Sequence, residues 1–256
     1  MLYISPFKLS MFLECPRRYK FHYVDDLAKE FKVPKPYLTM GENVHQALKE
    51  FFTKLEPEER NQERLEEILR NVWRKNREGF AHREEERKYG LEALDMLRRF
   101  IQTQDVSRQP LVVEKTYKVP LDKETILIGK IDRIDKYNEE KIIIVDYKTG
   151  NEPIEEDMLQ LTIYAAIASR RLKKDIHKAS YLYLRTGQEK SISPSSKDLE
   201  NGLLEIKAIA EMIEKEEKFP PKINRFCSFC EYLSICPLKE EIEKNKKSFA
   251  DVEEPF

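Results

Sequence analysis

The spacing of apolar positions changes character at Pro110. Before it, apolar residues recur at helical intervals; after it, runs rich in β-branched residues alternate with further helical stretches. Ser5 followed by Pro6 reads as an N-cap with proline at the first helical position, which predicts a helix to about Val24 carrying Cys15. Residues 31–38 hold two prolines and predict a loop. Thr39 with Glu42 three positions later predicts a capping box. The helix it opens, to about Thr53, sets Val44, Leu48, Phe51 and Phe52 on one face, with His45 beside that face. From 57 to 105, Leu65, Ile68, Leu69, Val72 and Trp73, then Leu91, Leu94, Leu97, Phe100 and Ile101, predict two long helices. They are expected to form a helical insertion that packs as a lid or arm.

Beyond Pro110, Val112–Val119, Ile126–Asp135 and Lys141–Lys148 predict three strands, with Tyr137–Glu140 a polar turn between the last two. Ile142–Val145 is apolar on both faces, so its strand should be central and buried. A helix is expected from near Glu155, with Glu155, Glu156 and Asp157 at its positive end, to about Leu172. Ala179–Leu184 and Glu189–Ile192 read as strands, and Ser196–Glu217 as a helix. After Pro220 and Pro221 comes a loop with three cysteines, then a charged tail expected to fray. The expected fold class is therefore α/β, a central mixed β-sheet flanked by helices.

A length of 256 residues fits one large domain. No apolar run reaches the roughly 18 residues that a membrane span needs, and the start of the chain shows no signal peptide, so no membrane partner and a cytoplasmic location are expected. The 46 basic and 47 acidic residues nearly cancel, so any attraction to nucleic acid must be local. Arg17, Arg18 and Lys20 lead into Phe21, His22 and Tyr23, a mixture that can grip a single strand or simply form a solvated helix face over core aromatics. Arg170, Arg171, Lys173 and Lys174 form a second basic run, a pattern that is usually only a solvated face.

The acidic hairpin carries the most chemistry. Asp146 ends an apolar strand, where a carboxylate is costly unless paired or metal-bound. Lys148 leaves the same face two residues later. With the turn centred near residue 139, Asp132 falls opposite Asp146, and opposed residues have Cβ atoms roughly 4.5–5.5 Å apart. Two carboxylates so placed call for a cation, and oxygen ligands suit Mg²⁺ or Mn²⁺. A nearby lysine can then orient water or stabilise charge developing on a phosphate. The plainer reading is a surface hairpin with solvated side chains. Singly, His45 is more often a satisfied helix histidine, Tyr164 a core residue and Gln160 a surface one.

Cys227, Cys230 and Cys236 form C-x2-C-x5-C, and Cys15 adds a fourth thiol from the other end of the chain. In a cytosolic protein such a set reads as metal ligands rather than disulfides. Four thiolates suit Zn²⁺ or a [4Fe–4S] cluster, and one distant cysteine with a tight triplet is unlike the paired CxxC of a zinc ribbon.

In their order along the chain these features resemble a known family. Asp132 followed by Asp146-Tyr147-Lys148 is similar to the D…(D/E)-X-K signature of PD-(D/E)XK nucleases. Gly129-Lys130-Ile131-Asp132-Arg133 resembles the G-x-I-D-R form of RecB-like exonucleases, and Gly41-Glu42-Asn43-Val44-His45 their histidine-bearing helix. Gln160 and Tyr164 resemble the Q-x-x-x-Y element, and Glu114 a strand glutamate of the same group. Ser5-Pro6 through Cys15-Pro16, with the C-terminal triplet, resembles the terminal iron–sulfur cluster of AddB-type and CRISPR-associated exonucleases. The resemblance implies a restriction-endonuclease-like core in which His45, Asp132, Asp146 and the Tyr147 carbonyl hold Mg²⁺ or Mn²⁺. Lys148 would position or activate water, Gln160 and Tyr164 would contact DNA or brace the lysine, and Cys15, Cys227, Cys230 and Cys236 would hold a [4Fe–4S] cluster. Residues 57–105 match nothing in that family; with them, the expected organisation is one nuclease domain over 1–256: N-terminal helices 1–56, a helical insertion 57–108, a catalytic α/β core 109–218, a cysteine loop 219–240 and a tail 241–256. The implied activity is DNA exonuclease cleavage of single strands or free ends, in repair, recombination or CRISPR adaptation, with a helicase or CRISPR integrase as partner. A non-catalytic iron–sulfur scaffold subunit and a zinc-stabilised regulatory protein are the rival readings. The chain has no P-loop GxxxxGK[ST], so unwinding would need a partner.

Overall fold

Ser5 caps the first helix as its spacing predicts, its hydroxyl accepting from the Lys8 N–H at 3.3 Å, but the helix does not continue to Val24. In this computed structural model, which describes residues 1–153 and 158–245, Cys15 is extended (φ −159°, ψ 104°) and separates α1 (Pro6–Glu14) from α2 (Pro16–Tyr19). The cause is Pro16: the residue before a proline is driven out of the helical region. A wide turn over Lys20–Val24 follows α2.

Two compact units make up the chain. The first comprises Met1–Val33, Pro120–Leu127 and Leu204–Phe256, and the second Pro34–Val119 and Ile128–Leu203. In the first unit, strand β1 (Leu2–Ile4) lies parallel to the opening residues of β3 (Thr125–Lys136), with Leu2 beside Thr125. Phe12, Tyr19 and Phe219 pack there, Tyr19 and Phe219 with nearly parallel rings 6.3 Å apart.

The second unit holds a mixed sheet flanked by helices. Strand β4 (Lys141–Lys148) runs antiparallel to β3 and parallel to β5 (Asp175–Tyr183), which pairs antiparallel with β6 (Glu189–Ile192). Strand β2 (Val112–Pro120) pairs with β3. β4 is thus central, and Ile142, Ile144, Val145 and Tyr147 are buried, as its apolar run predicts. Helix α6 (Leu159–Leu172) lies against β4 and β5. The start expected for this helix near Glu155 lies outside the described residues, as does most of the expected tail; the last described helix is α8 (Lys239–Lys244). Helix α7 (Ser196–Lys215) matches its prediction closely.

Helix α3 (Pro36–Lys54) begins three residues before Thr39, with Pro36 at its first turn. Thr39 caps nothing; buried inside the helix, its hydroxyl donates to the Glu78 carbonyl at 2.8 Å. The helices α4 (Gln62–Trp73) and α5 (Arg83–Thr103) are not a lid or arm. Leu65, Leu69, Leu97 and Phe100 share one core with Phe51 and Phe52 of α3 and with Val145 and Tyr147 of β4. Burying side chains of that size contributes about 1.5–3 kcal/mol each. Arg60, only 6% exposed, donates to the carbonyls of Phe52, Leu55, Val106 and Arg108 and so ties the end of α3 to the chain after α5. Among the described residues, no helix is long and apolar enough to cross a membrane.

Candidate active site

The β-hairpin sets the site's frame. Its register pairs Arg133 with Val145 and Ile134 with Ile144, so one further step puts Asp132 opposite Asp146, the alignment expected from a turn centred near 139. Both carboxylates are buried, at 5% and 4% exposure, and each is satisfied by partners on this unit. Asp132 Oδ2 accepts from the Tyr147 N–H at 2.8 Å, and its Oδ1 lies 3.3 Å from His45 Nδ1. The same imidazole nitrogen is 3.3 Å from Glu114 Oε1. Ligand atoms of His45, Glu114 and Asp132 all fall within 4.8 Å of one another, a set able to hold a metal ion.

Local features bring these side chains together. A Cβ on Gly41 would stand 3.0 Å from Thr149 Oγ1, so a small residue one turn before His45 lets α3 approach the end of β4. Glu114 sits in a strand at φ 50°, in the left-handed region that a non-glycine residue seldom adopts. Such a conformation costs on the order of 1–3 kcal/mol and is characteristic of sites where geometry is imposed by function. Burial by itself lowers the His45 imidazole, but the Asp132 carboxylate, followed by Glu114, outweighs it and pushes the group up to about 10. Burial would raise Glu114, yet His45 and Lys130 together hold it well below the usual carboxylate range. The Lys130 ammonium is ion-paired with Glu114 Oε2.

Asp146 stands outside that metal-ready set and belongs to a second network. Lys148 Nζ lies 2.9 Å from Asp146 Oδ2, donates to Gln160 Oε1 at 2.6 Å, and sits 4.4 Å from the centre of the Tyr181 ring. Gln160 Nε2 in turn donates to the Tyr164 hydroxyl at 2.9 Å and to Asp146 Oδ1 at 3.4 Å. Burial pushes Asp146 upward, with Lys148 opposing and Asp132 reinforcing. Burial and then the Asp146 charge raise the Tyr164 phenol, which stays protonated. Gly129 leaves room for this arrangement: a Cβ there would lie 2.6 Å from Ile167 Cδ1 and 3.1 Å from the Tyr164 ring, so either side chain would have to shift to admit it. The Tyr147 side chain lies on the opposite face, where its hydroxyl accepts from Arg133 Nη1 at 3.1 Å.

His45, Asp132, Asp146, Tyr147, Lys148, Gln160 and Tyr164 thus all lie in the second unit. Sequence reading gave Glu114 only a likeness, with no ligand role. Its one signal was an acidic residue following two valines at the start of a strand, and neither its burial nor its positive φ leaves a trace in the pattern.

The four cysteines lie in the first unit and line a single cavity, together with Arg18 and Asn224. The Lys222 N–H donates to Cys15 Sγ at 3.5 Å and the Asn224 N–H to Cys227 Sγ at 3.2 Å. Two successive 3-10 turns, Cys227–Phe229 and Leu233–Ile235, each end on a cysteine, Cys230 and Cys236. No three of the sulfurs come as close as the metal-ready set of the second unit. The basic run beside them is engaged internally: Arg18 with Glu14 and Glu231, Lys20 with Asp25, Arg17 with the Lys218 carbonyl. His22 and Tyr232 share a hydrogen bond of 2.9 Å, and Phe21 packs on the same tyrosine. Arg170 and Arg171 lie in the last turn of α6, where cations complement the helix dipole.

The sequence model of the PD-(D/E)XK nuclease superfamily matches residues 3–237. Among curated proteins, none matches the chain. Solved structures that match include one titled "Crystal structure of SSO0001", 15% identical, with 93% of this chain and 86% of that chain covered and a TM-score of 0.45.

Proposed function

The chain belongs to the PD-(D/E)XK nuclease superfamily, and from that premise we propose that it is a metal-dependent DNA exonuclease acting on single-stranded ends. The observation that carries this reading is the adjacency, within one unit, of a His–Glu–Asp set able to hold a cation and a lysine fixed by an aspartate and a glutamine. A merely structural hairpin has no need of both.

In this reading His45, Asp132 and Glu114 would hold Mg²⁺ or Mn²⁺, with Asp146 and the Tyr147 carbonyl as further ligands. When bound, the ion lowers the pKa of a coordinated water and offsets charge developing on the phosphate. Lys148 orients the attacking water and steadies the phosphoryl oxygens. Gln160 fixes the lysine amine from one side and Tyr164 holds the glutamine, so neither need touch DNA. The whole chain works as a single cytoplasmic nuclease domain, in repair, recombination or CRISPR adaptation, beside a helicase or integrase that supplies its ends.

In the same reading Cys15, Cys227, Cys230 and Cys236 would hold a [4Fe–4S] cluster. The donor set fits: four thiols on one cavity, two of them already accepting backbone N–H bonds. The cluster's role is structural, since closing loops between such distant segments turns metal binding into folding energy.

Anaerobically purified protein should degrade end-labelled single-stranded DNA in Mn²⁺ or Mg²⁺, while Asp146→Asn protein does not. The label lost first reports polarity. Equal degradation by both proteins would mean a contaminant, and none by either, with iron and sulfide present, would favour a scaffold. Zinc without sulfide would sink the cluster.

A further inference from the structure

We propose that Lys130 is a phosphate-binding residue that Glu114 holds back until the metal arrives, a role that rests on the nuclease reading above. Glu114 is 4% exposed at its side chain, whereas Lys130 is 58% exposed and reaches the site only with its ammonium. The pairing is therefore between a fixed, buried carboxylate and a mobile, solvent-facing cation. Glu114 also meets His45, so its two oxygens are divided between the imidazole at Oε1 and the Lys130 ammonium at Oε2.

A divalent cation seated among His45, Glu114 and Asp132 uses the same carboxylate and carries twice the charge of the ammonium. It takes over the attraction that holds Lys130 and adds repulsion. The displaced ammonium remains tethered by its four-carbon stem at the rim of the metal site, where a lysine acts as a movable point charge for phosphate. The other lysine of the site has no such freedom, because Asp146, Gln160 and the Tyr181 ring engage it. The ligand class for Lys130 is thus a backbone phosphate of the nucleic-acid strand, beside the one that Lys148 serves.

Lys130→Met keeps the stem and removes the charge, and Lys130→Arg keeps the charge. Mn²⁺ affinity is titrated without DNA, and binding of a single-stranded oligonucleotide is measured in Ca²⁺ across a salt series. Lys130→Met should bind Mn²⁺ several-fold more tightly, because the competitor for Glu114 is gone. Its slope of log K against log salt should fall by about 0.7, the value for one phosphate contact on a single strand, and Lys130→Arg should restore it. An unchanged slope, or Mn²⁺ binding that is unchanged or weaker in Lys130→Met, overturns the proposal while leaving the nuclease reading intact. Wild-type protein that binds neither Mn²⁺ nor the oligonucleotide overturns the nuclease reading itself, and this one with it.

Discussion

Gln160 makes three hydrogen bonds to three residues of the site, with Lys148, Tyr164 and Asp146. Removing its amide leaves the Lys148 amine held by Asp146 and the Tyr181 ring, without its hydrogen-bond acceptor on α6. Gln160→Leu should therefore lower turnover by about 10–100-fold, the usual cost of losing a partner that orients an active group, with Mn²⁺ affinity nearly unchanged. Single-turnover cleavage and a metal titration on the same protein check both halves, and a large loss of Mn²⁺ affinity would place Gln160 closer to the ion than its contacts indicate. At this scale the sequence was most legible where chemistry follows strand alternation. Asp132, Asp146 and Lys148 could be aligned by counting from a turn, because the side-chain period of a strand is fixed. Glu114 could not, because a positive φ interrupts the regular alternation of its strand at that residue. Gly129 carried a signal whose meaning emerged only with α6 in place: it clears room for Ile167 and Tyr164.

Among the elements, α4 and α5 were visible as helices from their apolar spacing, but spacing names a face and not what covers it. The cover is α3 and the far side of β4, the strand whose other face bears Asp146. Phe100 lies in edge-on contact with Phe52 (6.1 Å) and Tyr147 (5.8 Å) and is almost fully buried. Phe100→Ala should cost about 3–5 kcal/mol, read by urea denaturation, and a loss below about 1 kcal/mol would mean that the helices are peripheral after all. The break at Cys15 was also written in the sequence, in the single residue Pro16, but the surrounding helical periodicity masked it. α3 began early for a related reason: Pro36 serves at a first turn, where its missing N–H is no loss, so a Pro-containing stretch read as loop is partly helix.

On the scale of the whole molecule, the two candidate sites fall in different units, the metal-ready set in the second and the cysteines in the first. If the cysteines hold a cluster that supplies folding energy, its removal should be felt unevenly. Hydrogen exchange on protein stripped of iron should show protection lost across Met1–Val33 and the described residues from Leu204 onward, with β4 and α6 still protected. Equal loss throughout would argue that the cluster stabilises both units alike.

The first unit is assembled from three separate stretches of sequence, while the whole of the second lies between Pro34 and Leu203. During synthesis, domains generally fold as their residues emerge from the ribosome. Every strand and helix around the acidic hairpin has been made by the time Leu203 is added, whereas the cavity that Cys15 lines is completed only when Cys236 has been made. A nascent chain halted between those points would carry a complete acidic hairpin and an unfinished cysteine cavity, so translation itself sets the order in which the two are completed.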